Sequence, residues 1–88
     1  MVEPLHGYKV IDITQGIAGP YCSCLLGDGG ADVVKIEPLS GDAARSMAPP
    51  YIGDQSALYL ALNRNKRSIA LDITKPQGRE VLLKLISG

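Results

Sequence analysis

Two short β-rich runs flank one helical pattern near the start of the chain, and that order constrains the fold more than any other feature. Tyr8–Thr14, "YKVIDIT", places Val10, Ile11 and Ile13 in a strand-like stretch. The turn "QGIAGP" follows, with Pro20 suited to a first helical turn, where its missing N–H costs nothing. Apolar or small residues at 18, 21, 22, 25 and 26 predict one buried helix face, and Gly29–Gly30 predicts its C-cap. Ala31–Glu37, "ADVVKIE", reads as a second strand. Strand, helix and strand within about 30 residues form a βαβ unit. Parallel strands, a right-handed crossover and helices on the sheet faces are therefore expected.

Pro38–Ala57 breaks the pattern with Gly41, Pro49, Pro50 and Gly53 and reads as a long loop holding one helical turn at Asp42–Ser46. Loops of such length inside a compact domain are usually functional or partly disordered. Leu58–Leu62 reads as a short apolar helix or turn, and Ser68–Ile73 as a third strand. Thr74 is placed to cap a last helix, with Pro76 near its start and Val81, Leu82, Leu85 and Ile86 on its buried face. The expected fold class is α/β, a partial Rossmann-like unit of βαβ plus a strand and a helix. The 88 residues suffice for one domain at most, burying roughly 60–65% of the surface of the unfolded chain. The last helix pattern simply stops, so the chain reads as the front of something longer.

Nine basic and nine acidic residues cancel, so no global field draws the chain to nucleic acid or anionic lipid. Four tyrosines are the only aromatics, too few for base-stacking platforms. No apolar run approaches the ~18 residues of a transmembrane helix. The opening "MVEPLHGYKV" lacks the basic head and apolar core of a secretory signal, and a cytoplasmic location is expected. Cys22 and Cys24 stand two apart, about 200° around a helix, which suits neither one metal nor one disulfide. Both are expected as small buried hydrophobes. His6 has no nucleophile placed to pair with it, and no metal-ligand cluster is present in the sequence.

Three stretches could carry chemistry. Gln15, Gly16 and Ile17 open the turn after the first strand, where parallel sheets bind ligands and a helix N-terminus offers free N–H groups. The alternative is that Gly16 and Gly19 merely permit a tight strand-to-helix turn. In "GDAAR", Asp42 and Arg45 form either a local ion pair of little worth or a capped turn presenting Arg45 as a phosphate or carboxylate clamp. In "NRNKRSIALD", Arg64, Lys66 and Arg67 stand just ahead of the third strand, at its amino end. They form a solvated face, or Lys66 and Arg67 hold phosphates on a strand that runs antiparallel or along an edge. Asp12, beside buried neighbours, is expected to orient backbone or a basic side chain rather than catalyse.

Taken in order, these pieces carry a resemblance. "PLHGYKVIDITQGIAGPYCSCLLGDGGADVVKIEPLSGDAAR" and "NRNKRSIALDITKPQGREVLLKL" resemble the amino-terminal part of the class III CoA-transferases, also called the CaiB/BaiF family. The likeness runs over nearly all of residues 1–88. It implies a Rossmann-like large domain, a smaller domain absent from these residues, and an interlocked homodimer. It implies transfer of CoA from an acyl-CoA donor to a small carboxylic acid through an aspartyl-CoA anhydride. A related branch epimerises 2-methylacyl-CoA thioesters. A non-catalytic remnant is the third possibility.

The resemblance further implies that coenzyme A touches Gln15, Gly16 and Ile17, the end of the second strand at Pro38, Arg45, and the segment from Leu71 through Thr74 to Lys75. Pro38 stands where some members have a basic residue, which counts against a phosphate contact there. Ile17 replaces an amide found in some oxalate-using members, which counts against their substrate. The family's catalytic Asp lies downstream, and Asp12, Asp28, Asp42, Asp54 and Asp72 do not match its motif. Residues 1–88 alone are accordingly expected to show no CoA transfer.

Overall fold

The computed structural model describes residues 3–88. Strand β1 (Lys9–Asp12) leads into helix α1 (Ala18–Asp28) and strand β2 (Asp32–Glu37). A 3₁₀ turn (Ala43–Ser46), a small hairpin of β3 (Tyr51–Ile52) and β4 (Gln55–Ser56), and helix α2 (Ala57–Leu62) follow. Strand β5 (Lys66–Ala70) and helix α3 (Pro76–Ser87) complete the unit. The main sheet is parallel, in the order β1-β2-β5, with Val10 opposite Val33 and Lys66 opposite Val33 on its other side.

Central β2 supplies much of the core: Val33, Val34 and Ile36 are buried alongside Cys24, Tyr59 and Leu62. Strand side chains alternate between faces, so Val33, Lys35 and Glu37 share one face and Val34 and Ile36 the other. Helix α1 covers the Val33 face, with Gly27 close enough that an added Cβ would touch Val33. The opposite face of β1 carries Lys9 and Ile11, which with Ile13 just beyond the strand lie across from Leu82 and Ile86 of α3.

Several expectations change. The third strand begins at Lys66 rather than Ser68 and ends at Ala70, because hydrogen bonding to β2, not side-chain apolarity, fixes its register. The long loop contains the β3–β4 hairpin, turning through Gly53 at φ +64°. Its helical turn is the 3₁₀ turn, capped by the Asp42 side chain. Thr74 does not cap α3; Lys75 holds that position, and Thr74 instead bonds back to Asp72.

The buried face of α1 is also not the predicted apolar one. Pro20, Ser23 and Cys24 turn inward, while Tyr21, Cys22 and Leu25 are exposed. The reason is the sheet beneath, which beside Val33 offers the Asp12 carboxylate and the Lys66 ammonium group. A Ser hydroxyl, a helix carbonyl and small residues satisfy such groups better than leucine does. Helix α3 buries none of its residues, and Val81 and Ile86 are exposed where a covered face was expected.

Candidate functional site

Between the sheet and the α1–α2 layer lies a row of buried charges. Lys66 extends along the sheet to donate to Asp12 Oδ2 (3.0 Å), the Pro20 carbonyl (3.0 Å) and Asn63 Oδ1 (2.9 Å). Its side chain is 1% exposed and all three ammonium donors are used. Asp12 also accepts from the Ser23 hydroxyl (2.6 Å) and the Thr14 amide (2.9 Å). Burial opposes its charge, but Ser23, Thr14 and Lys66 outweigh burial and hold the carboxyl at about 2.

Lys35 and Asp42 form a second pair, 2.6 Å apart and almost wholly buried. The contact is an ion pair rather than an aligned hydrogen bond. Lys35 also donates to the Thr14 carbonyl at 3.1 Å. Asp42 Oδ1 accepts from Gly16 N (3.0 Å) and Ala44 N (2.9 Å). Burial again opposes the Asp42 charge, and the Gly16 amide, Lys35 and the Ala44 amide together hold its pKa below the usual range. The pair thereby ties the turn after β1 to the turn after β2. It also changes the chemistry expected at that turn, because the Gly16 N–H is already engaged by a carboxylate of the chain itself. Gly16 adopts φ +85°, and a Cβ there would meet nothing within 4 Å.

The third cluster centres on buried Glu37. Arg45 grips it with both arms, Nε to Oε2 at 2.8 Å and Nη2 to Oε1 at 2.9 Å. The Tyr59 hydroxyl donates to Oε1 and accepts from Arg45 Nη2 at 2.7 Å. The Asp42 amide and Ser68 hydroxyl add bonds of 3.1 Å each. The Arg45 guanidinium also lies over the Tyr59 ring, 3.8 Å from its centroid. Burial opposes ionisation of Glu37, but Arg45, Tyr59 and the Asp42 amide hold the carboxyl at about 2. Burial and the Glu37 charge push the Tyr59 phenol up to about 12.

A cleft of about 340 Å³ opens at the carboxyl ends of the parallel strands, where such sheets bind ligands. Its lining includes Gln15, Glu37, Pro38, Leu39, Leu71 and Thr74. Of the candidate residues, Gln15, Pro38, Leu71 and Thr74 thus meet at one cleft, with Gly16, Ile17 and Lys75 next to them in sequence. Arg45 stands one residue behind it, holding Glu37, so the sequence-local Asp42–Arg45 pair gives way to Asp42–Lys35 and Arg45–Glu37.

The two cations of β5 lie elsewhere. Arg67, exposed, pairs with Asp32 at the amino end of β2 (2.7 Å). Lys66 is saturated by acceptors within the chain, which conflicts with the phosphate role expected of it. Arg64 pairs with Asp28. The roles of Glu37 and Tyr59 are not predicted by the sequence pattern; the one local signal is a tyrosine within the apolar run "ALYLAL". Among the described residues no group of three or more His, Cys, Asp or Glu side chains is arranged to hold a metal ion, and no helix is long and apolar enough to cross a membrane.

Residues 5–88 match CoA-transferase family III. The chain is 45% identical over 85 residues to succinyl-CoA:glutarate CoA-transferase of Homo sapiens, covering 96% of this chain and 19% of that protein. It is 46% identical over 87 residues to succinyl-CoA:mesaconate CoA-transferase of Haloarcula hispanica, covering 93% of this chain and 22% of that protein. The crystal structure of a CaiB/BaiF family protein from Brucella suis superposes with a TM-score of 0.91 at 39% identity, over 98% of this chain and 24% of that one. The chain spans about a fifth of the length of the curated relatives it matches. Its parallel α/β unit matches the N-terminal part of the CaiB/BaiF fold.

Proposed function

Because the chain belongs to CoA-transferase family III, we propose that it forms one wall of the coenzyme A site of an enzyme moving CoA from an acyl-CoA to a carboxylic acid. The supporting observation is the convergence of Gln15, Pro38, Leu71 and Thr74 on one cleft at the carboxyl ends of the strands. Residues 1–88 are then part of a larger CoA-transferase domain, in a protein that works as a dimer. Ligand pockets run from roughly 300 to 1,000 Å³. At about 340 Å³ the cleft suits one portion of a molecule as long as CoA, not the whole.

In the transfer itself, a carboxylate oxygen attacks the thioester carbonyl, the C–S bond breaks, and CoA thiolate leaves. The wall contributes binding far from that carbon, which lowers the barrier when it is realised in the transition state. Asp12 and Asp42 are poor nucleophiles, being buried in ion pairs, and Asp28 and Asp72 are engaged by Arg64 and Thr74. Relatives named for succinyl-CoA make that thioester the first donor to test.

Calorimetric titration of the protein with CoA tests the proposal. Leu71→Glu sets a carboxylate in the cleft against the phosphates of the ligand and is expected to raise Kd about tenfold or more. An unchanged Kd in that variant contradicts it.

A further inference from the structure

We propose that Tyr59 and Glu37 are positioning residues for Arg45, holding its guanidinium by Nε and Nη2 so that Nη1 remains to meet an anionic group of the ligand. The inference rests on the proposed CoA site and names the device that presents one cation of that site.

Three observations carry it. First, Nε and Nη2 of Arg45 are both committed, to Glu37 and to the Tyr59 hydroxyl, while Nη1 enters none of the hydrogen bonds among the described residues. A planar guanidinium held along one edge can turn only its other edge outward. Second, the holder is itself rigid. Glu37 is 4% exposed and also accepts from the Asp42 amide and Ser68, and Tyr59 is 7% exposed.

Third, the burial of Arg45 differs from that of the neighbouring cations. Lys35 and Lys66, whose ammonium groups are taken up by carboxylates and other acceptors of the chain itself, have side chains 1% exposed, whereas that of Arg45 is 43% exposed. An arginine present solely to balance Glu37 has no reason to stay half in solvent. Gly41, at φ +87°, leaves room for this arrangement; a Cβ there would come within 3.0 Å of Arg45 Cδ. The ligand group is a phosphate or carboxylate, an oxyanion that accepts a charge-assisted hydrogen bond from Nη1.

A double-mutant cycle on CoA affinity, with guanidinium NMR alongside, tests this. Tyr59→Phe keeps the ring under Arg45 and removes only the hydroxyl. Arg45→Ala is expected to raise the Kd for CoA about tenfold and Tyr59→Phe several-fold. In the Arg45→Ala background, Tyr59→Phe is expected to add less than about twofold, since its effect runs through the arginine. In the wild type the Arg45 nitrogens should give separately resolved signals from restricted rotation, averaged in Tyr59→Phe and in Glu37→Gln.

An equal loss from Tyr59→Phe in both backgrounds, or no loss in the wild type, overturns the positioning role and leaves the CoA site standing. An unchanged Kd in Arg45→Ala overturns the role of the arginine as well. A freely rotating wild-type guanidinium overturns the proposal whatever the affinities. Absence of CoA binding by the wild type overturns the CoA site itself.

Discussion

Lys35 Nζ lies 2.6 Å from Asp42 Oδ2, with both side chains almost wholly buried, and the pair joins the turn after β1 to the turn after β2. Removing one partner strands the other charge. Lys35→Met is expected to destabilise the protein by about 3–5 kcal/mol, measured by urea denaturation. The double variant Lys35→Met/Asp42→Asn should recover part of that loss, because no bare charge remains. A single variant within 1 kcal/mol of wild type would show that the pair does not hold the turns together.

Lys66 and Arg67 of β5 should differ in how much they stabilise the protein. Lys66→Met leaves Asp12 buried without its cation and is expected to cost about 3–5 kcal/mol. Arg67→Ala removes a solvent-exposed pair with Asp32 and should cost about 0–1 kcal/mol. Equal effects in denaturation experiments would mean that burial does not separate them.

Acid should unfold the protein through its carboxylates. Asp12 and Glu37 have folded values of about 2, below their ordinary 3.8 and 4.5, and Asp42 is lowered as well. A depressed folded value means stability is fully present above the unfolded value and is lost as pH falls toward the folded one. Stability should therefore be level above about pH 5 and fall between about 4.5 and 2, by on the order of 2–3 kcal/mol each for Asp12 and Glu37, with Asp42 adding loss of the same sign. Tyr59 has the opposite sign. Its folded value, raised to about 12 from 10, gives stability present below pH 10 and lost toward pH 12. Tyr59→Phe should remove the ultraviolet ionisation step near pH 12. A denaturation midpoint flat from pH 5 to 2 would contradict the carboxylate assignment.

Gly78 offers a test of sign. Within a helix, Gly→Ala ordinarily stabilises by about 1 kcal/mol. Here an added Cβ would collide with the Asp72 carbonyl oxygen and carbon, backbone atoms on the cleft wall. Gly78→Ala should instead destabilise by about 1–3 kcal/mol, read as a lowered denaturation midpoint. A raised midpoint would place α3 differently from the structure described.

The βαβ order and the site of the cleft were legible in the sequence because strand and helix periodicities are local, and because ligand crevices follow from parallel topology. The charged interior was not. Which carboxylate meets Lys66 or Lys35 depends on residues 54 and 7 positions away, in elements whose relative placement no local pattern states. The face of α1 differs for the same reason: the apolar spacing at 18, 21, 22, 25 and 26 leaves out Ser23, the residue that satisfies Asp12. The β3–β4 hairpin leaves no pattern in the sequence because two-residue strands are too short to alternate. Strand β5 was displaced because its first residues, Lys66 and Arg67, are charged.

The most direct test is an amide-resolved NMR titration of the protein with coenzyme A. The cleft account predicts shifts concentrated at Gln15–Ile17, Leu39–Ser40 and Leu71–Lys75, with the amino ends of β2 and β5 unmoved. Shifts centred instead on Asp32 and Arg67, or none anywhere at saturating ligand, would contradict it.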